Sequence, residues 1–442
     1  MNYLAILRDS LRETLDRKSL YFLLAISVLL IGFCASIGFR ELDAAGVLDH
    51  VVRDFGSVMK VGMHQRLSYR YSVKFAVSDV REKDRASDRS PAEYEFTLKA
   101  EPVDEFHRAV LTWNAIESGK LKKEGEAIEG ISGDSVADPG PELEIRFLRA
   151  KFREQLINRL EIEPVKGPGG EHAFRVDLRT SSRFTLDGAY EGSVLFGAWT
   201  FRLPMSMAVF LSLIELGVAD QIGGVWGVII AVIFTAGFVP GMLQKGTLDL
   251  LLAKPVRRPV VLLTKYAGGL FYALIPAMFL IGGCWFAISA RSGYWNFGFL
   301  ASIGVLVVIF GVLYSFTVLM GVLFRSTIAS ILLTIGLWFL SSMIANAHLV
   351  LRSPEIAPKV PAAITKTIGV LRLGLPRTTE WGQVSTYFVM KGNLGPDMEM
   401  VVEDQGRHGI QRPAWLSLCL SSAGFIAVML GLACWTFSRR DY

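Results

Sequence analysis

No G-x-x-x-x-G-K-(S/T) loop occurs anywhere in the 442 residues, so the sequence offers no P-loop cradle for nucleotide phosphates. Metal-ligand spacing is missing as well. His50, His64, His107 and His172 stand apart, with no H-E-x-x-H pair, and read as structural or surface histidines. The four cysteines, Cys34, Cys284, Cys419 and Cys434, each sit in an apolar run, without zinc-ligand spacing or a polar setting that would activate a thiolate. No N-x-(S/T) acceptor is present. The formal net charge of +5 is small and spread along the chain, which excludes a nucleic-acid partner on charge grounds. Carboxylates are common but unpatterned, and no catalytic constellation is visible. The chain therefore reads as a non-enzyme with no metal and no cofactor of its own.

Apolar length is what the sequence does have. Apolar residues make up 51% of it, and several runs approach the roughly 20 residues that cross a bilayer, which identifies an α-helical polytopic membrane protein. Residues 1–18 set Leu4, Leu7, Leu11 and Leu15 against Arg8, Asp9, Arg12, Glu13, Asp16 and Arg17, the pattern of an amphipathic helix on the cytoplasmic interface. Residues 19–38 form the first span. The long, acid-containing region ahead of it favours an uncleaved anchor over a signal peptide.

Between spans 1 and 2, residues 40–195 change to the composition of a soluble domain, expected to be an extracytoplasmic α+β unit with an antiparallel sheet. Tyr69, Tyr71, Val73, Phe75 and Val77 alternate with polar residues, as do Tyr94, Phe96 and Leu98, then Leu143, Ile145 and Phe147, then Phe174, Val176 and Leu178. Phe152, Leu156 and Leu160 suggest one helix between strands. Asp187-Gly188 reads as a hairpin turn.

Two apolar runs follow, 203–219 and 221–242, the first interrupted by Pro204 and Glu215. If both crossed, the basic loop at 243–259 would lie outside, against the tendency of short cytoplasmic loops to collect Lys and Arg. Residues 221–242 are therefore the second span, and 203–219 an interfacial or re-entrant helix that leaves Glu215 facing water. The remaining spans are 260–290, 299–324, 328–349 and 415–437. An outer segment, 350–413, precedes the last span, with a surface helix expected over 364–375, and a tail, 438–442, follows it. This gives six spans with both termini cytoplasmic. Gly223, Gly227 and Ala231 in the second span, and Ala423, Ala427 and Gly431 in the last, form small-residue stripes suited to close helix packing. Few charges fall in mid-span, which argues against a proton relay or a small-ion route.

The loop within 243–259 is the most structured polar stretch. Gly246, Thr247, Leu248, Asp249, Leu250, Leu251 and Leu252 read as a short helix, with Thr247 placed to cap orphan N–H groups and Asp249 in the first turn against the helix dipole. Lys254 complements the other end, Pro255 closes it, and Arg257 and Arg258 follow. A helix of about two turns is not stable alone, so its leucines must rest on lipid or protein.

This stretch, with Lys265 beyond it, resembles the G-T-L-(D/E)-L-L-L-x-x-P-V-x-R…K segment between spans two and three of type-2 ABC exporter permeases. Family members often carry acidic residues just before the Gly-Thr pair, where this chain has Met242, Leu243, Gln244 and Lys245. The resemblance implies that residues Gly246–Leu252, Lys254, Pro255, Arg257, Arg258 and Lys265 couple the chain to an ABC ATPase on a separate polypeptide, which would hold the ATP and Mg²⁺. It also implies a second permease subunit, identical or related, and a multi-pass protein of a bacterial cytoplasmic membrane surrounded by lipid. The expected function is export, with an extracytoplasmic partner possible for the 40–195 domain. The competing expectation is a membrane-anchored sensor or assembly scaffold whose outer domain binds a ligand or protein.

Overall fold

The computed structural model of the chain describes residues 18–53, 55–61, 66–84, 92–121, 128, 130–132, 135–153, 157–166, 172–180, 189–203, 205–243, 258–351, 361–394 and 414–439. The chain divides into two compact units, Gly38–Leu211 on one hand and Met1–Ile37 with Ser212–Tyr442 on the other. Among the described residues, six helices are long and apolar enough to cross a membrane: Lys18–Ser36, Met207–Met242, Arg258–Ser292, Phe297–Phe324, Thr327–His348 and Trp415–Arg439.

Helix α1 (Lys18–Ser36) is followed directly by strand β1 (Gly38–Glu41) and helix α2 (Ala44–Val52). Strands β2 (Ser57–Val61), β3 (Arg66–Arg70), β4 (Lys74–Asp84) and β5 (Glu93–Glu101) lead to helix α3 (Val103–Glu117). A two-residue ribbon, β6 (Ile131–Ser132) and β7 (Ser135–Val136), precedes helix α4 (Pro141–Arg153), and strands β8 (Ile157–Lys166), β9 (His172–Thr180), β10 (Tyr190–Val194) and β11 (Trp199–Arg202) complete the unit. The main sheet is antiparallel in the order β4-β5-β9-β8. On central β5, Tyr94, Phe96, Leu98 and Ala100 are buried while the residues between them are not, which is the period-two signature of a sheet with one face on a core. That core is aromatic. Phe106 of α3 makes edge contacts with Phe75, Phe147 and Phe174, and Phe152 of α4 with Phe55 and Phe96.

Three local expectations are corrected in this unit. Residues 143–147 are helical: Pro141 opens α4, Glu142 and Glu144 lie in its first turn, and burial falls at Glu144, Phe147, Leu148, Lys151 and Phe152, a helical period that outweighs the short alternation. Phe152 and Leu160 do not share a helix. Phe152 lies in the last turn of α4, Leu156 lies outside the described residues, and Leu160 lies on β8 paired with Leu178. The alternation from Tyr69 to Val77 is broken between β3 and β4, where Tyr71 N–H donates to Gly56 C=O at 3.0 Å and the Tyr71 hydroxyl meets Thr112 Oγ1. The Asp187-Gly188 turn lies outside the described residues.

Beyond β11, the chain runs through helix α5 (Met207–Leu216), a π-helical segment (Gly217–Gly227), helix α6 (Val228–Thr235) and short helix α7 (Phe238–Met242). From Met207 onward the runs 203–219 and 221–242 are thus parts of one helical stretch. The wider π turns carry the helix past the point where Glu215 and Asp220 interrupt the apolar pattern. Helices α8 (Arg258–Ser292), α9 (Phe297–Phe324) and α10 (Thr327–Leu351) follow as consecutive long helices with short turns, the second turn made by Arg325 in a left-handed cap. Helices α11 (Ala362–Leu373), α12 (Thr378–Leu394) and α13 (Trp415–Arg439) finish the bundle.

Helix α9 is the hub, with contacts to α8, α10, α12 and α13. Its Tyr314 stacks on Tyr266 of α8 at 5.6 Å, and Gly269 is side-chain-free where the Tyr314 ring lies. Tyr266 also donates to Gly311 C=O at 3.0 Å. Helix α1 packs on α8 through Leu20, Leu23 and Tyr272, with Ile31 seated over Gly283 and Tyr272 donating to Ser19 Oγ at 2.9 Å.

Candidate functional site

The residues that the sequence marks for coupling fall almost wholly outside the described structure. Gly246, Thr247, Leu248, Asp249, Leu250, Leu251, Leu252, Lys254, Pro255 and Arg257 lie outside it; Arg258 opens α8, and Lys265 lies two turns along the same helix. The described chain stops at Leu243 and resumes at Arg258, and both borders sit at one end of the bundle. Gly321 near the end of α9 abuts Val239 and Pro240, and Gly237 faces Thr327 at the start of α10. Lys18, Arg258, Lys265, Arg325 and Arg439 gather toward this end. The acidic residues described in this unit, Glu215, Asp220 and Glu380, lie elsewhere, as do Arg291, Arg372, Arg377 and Lys391.

The small-residue stripes behave differently from each other. Gly223 lies where a Cβ would come within 2.9 Å of Leu306 Cδ1, so this glycine does admit α9, and Ala231 is buried. Gly227 has only its own segment's Ile222 carbonyl nearby. Ala423, Ala427 and Gly431 are exposed, and no other helix among the described residues covers them. The face of α13 packed within the chain carries Leu418, Ser422, Leu430, Ala433 and Phe437.

At the opposite end of the bundle the structure assembles a buried polar seam. Glu215, which the sequence suggested would face water, is only 2% exposed. One of its oxygens, Oε2, accepts from Asn296 Nδ2 at 2.6 Å and Asn393 Nδ2 at 2.7 Å. Asn296 is the N-cap of α9, its Oδ1 accepting from Gly298 N–H at 2.9 Å, and its amide also donates to Val389 C=O at 3.1 Å. Asn393 donates further to Ser212 Oγ at 3.0 Å. One turn along, Ser302 and Ser385 share a hydrogen bond of 2.8 Å, and Thr386 donates to Asp220 Oδ2 at 3.3 Å. The seam therefore joins α5, the π segment, the start of α9 and α12.

Close backbone approach makes the seam possible. A Cβ on Gly298 would collide with Phe388 C=O, and one on Gly392 with Asn296 Oδ1, so α12 lies directly on the beginning of α9. Tyr294 donates its hydroxyl to Gly392 C=O. The other end of α12 is held by ions. Glu380 pairs with Arg372 and Arg377, Arg372 Nη1 meets His348 Nδ1 at 2.8 Å, and Trp381 Nε1 donates to Ser422 Oγ of α13 at 2.9 Å. Chemically, the seam is a set of amide and hydroxyl donors converging on carboxylates, with Asn393 Oδ1 buried and left without a hydrogen bond.

In the Gly38–Leu211 unit, His107, Asp138 and Glu144 bring one ligand atom each within 4.8 Å of one another. The sequence left these histidines isolated, because the grouping arises only when α3 meets α4. His107 Nε2 lies 3.0 Å from Glu144 Oε1, both residues buried, while Asp138 is exposed and accepts from Gly140 N–H at 2.8 Å. The His–Glu bond satisfies two polar groups inside an aromatic core and ties the two helices together.

A protein-family model described as "ABC-2 family transporter protein" matches residues 4–442 of the chain. No curated protein matches it.

Proposed function

The chain belongs to the ABC-2 family of transporter proteins, and from that premise we propose that it is the permease subunit of an ATP-driven exporter. Its energy comes from a separate ABC ATPase docked on residues 246–258, and two permease subunits together form the pathway. The observation that carries this reading is the family match over nearly the whole chain, including the Gly246–Arg258 stretch. The lack of a P-loop supports an ATPase on another polypeptide, which holds the ATP and Mg²⁺. The charge distribution supports a sidedness. The bundle end that borders residues 244–257 carries Lys18, Arg258, Lys265, Arg325 and Arg439, and such ends of short loops lie in the cytoplasm. On that orientation the Gly38–Leu211 unit is extracytoplasmic, both termini are cytoplasmic, and the membrane is the cytoplasmic membrane of a bacterium.

The test is affinity purification of the tagged chain from its native membrane. An ABC ATPase should co-purify with the unsubstituted chain. It should be lost from Arg257→Glu/Arg258→Glu and from Leu251→Asp, while all variants still insert in the membrane. Purification that never yields an ATPase overturns the proposal.

A further inference from the structure

We propose that the hairpin tip between β10 and β11 is a lipid anchor, seating Leu195, Phe196 and Trp199 in the membrane surface. Three observations on the Gly38–Leu211 unit carry it.

The tip is apolar and open. Leu195, Phe196 and Trp199 are 55%, 74% and 73% exposed, and β11 is an edge strand of the sheet β1-β10-β11. Large apolar side chains clustered at one exposed edge mark an interaction surface.

The backbone holds them there against its own preference. The loop 195–198, closed by a hydrogen bond from Ala198 N–H to Leu195 C=O at 3.2 Å, has positive φ at Leu195 (54°), Phe196 (57°) and Gly197 (94°). Such positions normally take Gly, Asn or Asp, and bulky residues adopt them only at a cost to folding. Polar turn residues would be cheaper for folding, so the apolar pair serves something other than folding. The sheet below is firmly based. Phe201 packs over Gly192, and both Phe201 and Phe39 make ring contacts with Phe210.

Register gives the direction. Gly38 pairs with Ser193 and Glu41 with Tyr190, so the tip extends from the Gly38 end of the sheet, and Gly38 follows the span Lys18–Ser36 by two residues. Chain connectivity thus brings that end of the sheet to the membrane boundary. Moving away from the tip, Val194 pairs with Trp199, Ser193 with Gly38 and Thr200, Gly192 with Phe39 and Phe201, and Glu191 with Arg40 and Arg202, so the first charged row is the fourth. The Arg40–Glu191–Arg202 row lies three residues from Trp199, or about 10 Å at strand rise, a separation that puts Trp at the acyl boundary and arginine at the headgroups. The row's surplus of arginine favours anionic headgroups.

The test uses the full-length protein in nanodiscs of phosphatidylcholine and phosphatidylglycerol, with Cys34, Cys284, Cys419 and Cys434 changed to Ser. A nitroxide is placed by Ala198→Cys, or at exposed Glu142→Cys as a control, and its access to oxygen and to a water-soluble nickel chelate is measured by power saturation. Lipid insertion predicts a several-fold higher oxygen-to-nickel ratio at the tip than at the control. That ratio should fall to the control value when Phe196→Asp and Trp199→Asp are added. Equal ratios at tip and control overturn the proposal, as does a tip label shielded from both reagents, the signature of burial against protein or a second copy. Size-exclusion behaviour of each variant checks that a changed ratio is not loss of fold.

Discussion

At the scale of single residues, a carboxylate inside an apolar bundle is expensive unless donors meet it, and Glu215 has two amide donors on one oxygen. Substituting Glu215→Leu leaves those donors short of an acceptor in a buried site. Each keeps one other partner, Val389 C=O for Asn296 and Ser212 Oγ for Asn393, so the loss falls toward the lower end of the roughly 1–3 kcal/mol typical of a stranded polar group. The expected result is a lower melting temperature of the purified protein in a fixed detergent, with Glu215→Gln, which retains one acceptor, closer to the parent. Equal melting temperatures for the parent and Glu215→Leu would show that the two bonds to Glu215 add nothing to stability.

At the scale of elements, α12 is where sequence and structure part most. The apolar spans are legible because one property, a run of residues without charge, decides them. Helix α12 reads as part of an outer segment because Glu380, Gln383, Thr386, Lys391 and Asn393 interrupt its apolar residues. The signal that was present is periodic: Trp381, Val384, Ser385 and Val389 are buried at helical spacing, with serine standing where an apolar residue is expected. The seam itself was out of reach of the sequence, since Glu215, Asn296 and Asn393 lie on separate elements and only the packing of Gly298 and Gly392 brings them together. Trp381 anchors the helix, so Trp381→Ala should cost about 3–5 kcal/mol, the range for emptying a buried tryptophan site. Hydrogen exchange should then speed up across Thr378–Leu394 more than across α9. Ser422→Ala, which removes only the hydrogen bond to the indole, should cost about 1 kcal/mol.

At the scale of the whole molecule, the two units have separate cores of different chemistry. Aromatic edge contacts dominate in Gly38–Leu211, and helix contacts around α9 dominate in the bundle. Phe106→Ala empties a fully buried position at the centre of the aromatic core and should destabilise that unit by about 3–5 kcal/mol. Protease should then cut within 38–211 at lower temperature while the bundle fragment survives intact; simultaneous loss of both would show that the units do not unfold independently. The π-helical segment has a consequence of its own for the bundle. Each residue of an α-helix advances the facing direction by about 100°, so the wide turns at Gly217–Gly227 reset the rotational phase between the two halves of one long helix. Ser212 and Glu215 before it, and Ala231 after it, are thereby all turned inward. A relative lacking one residue in that segment would keep every side chain of the seam in its sequence and still aim Glu215 at lipid.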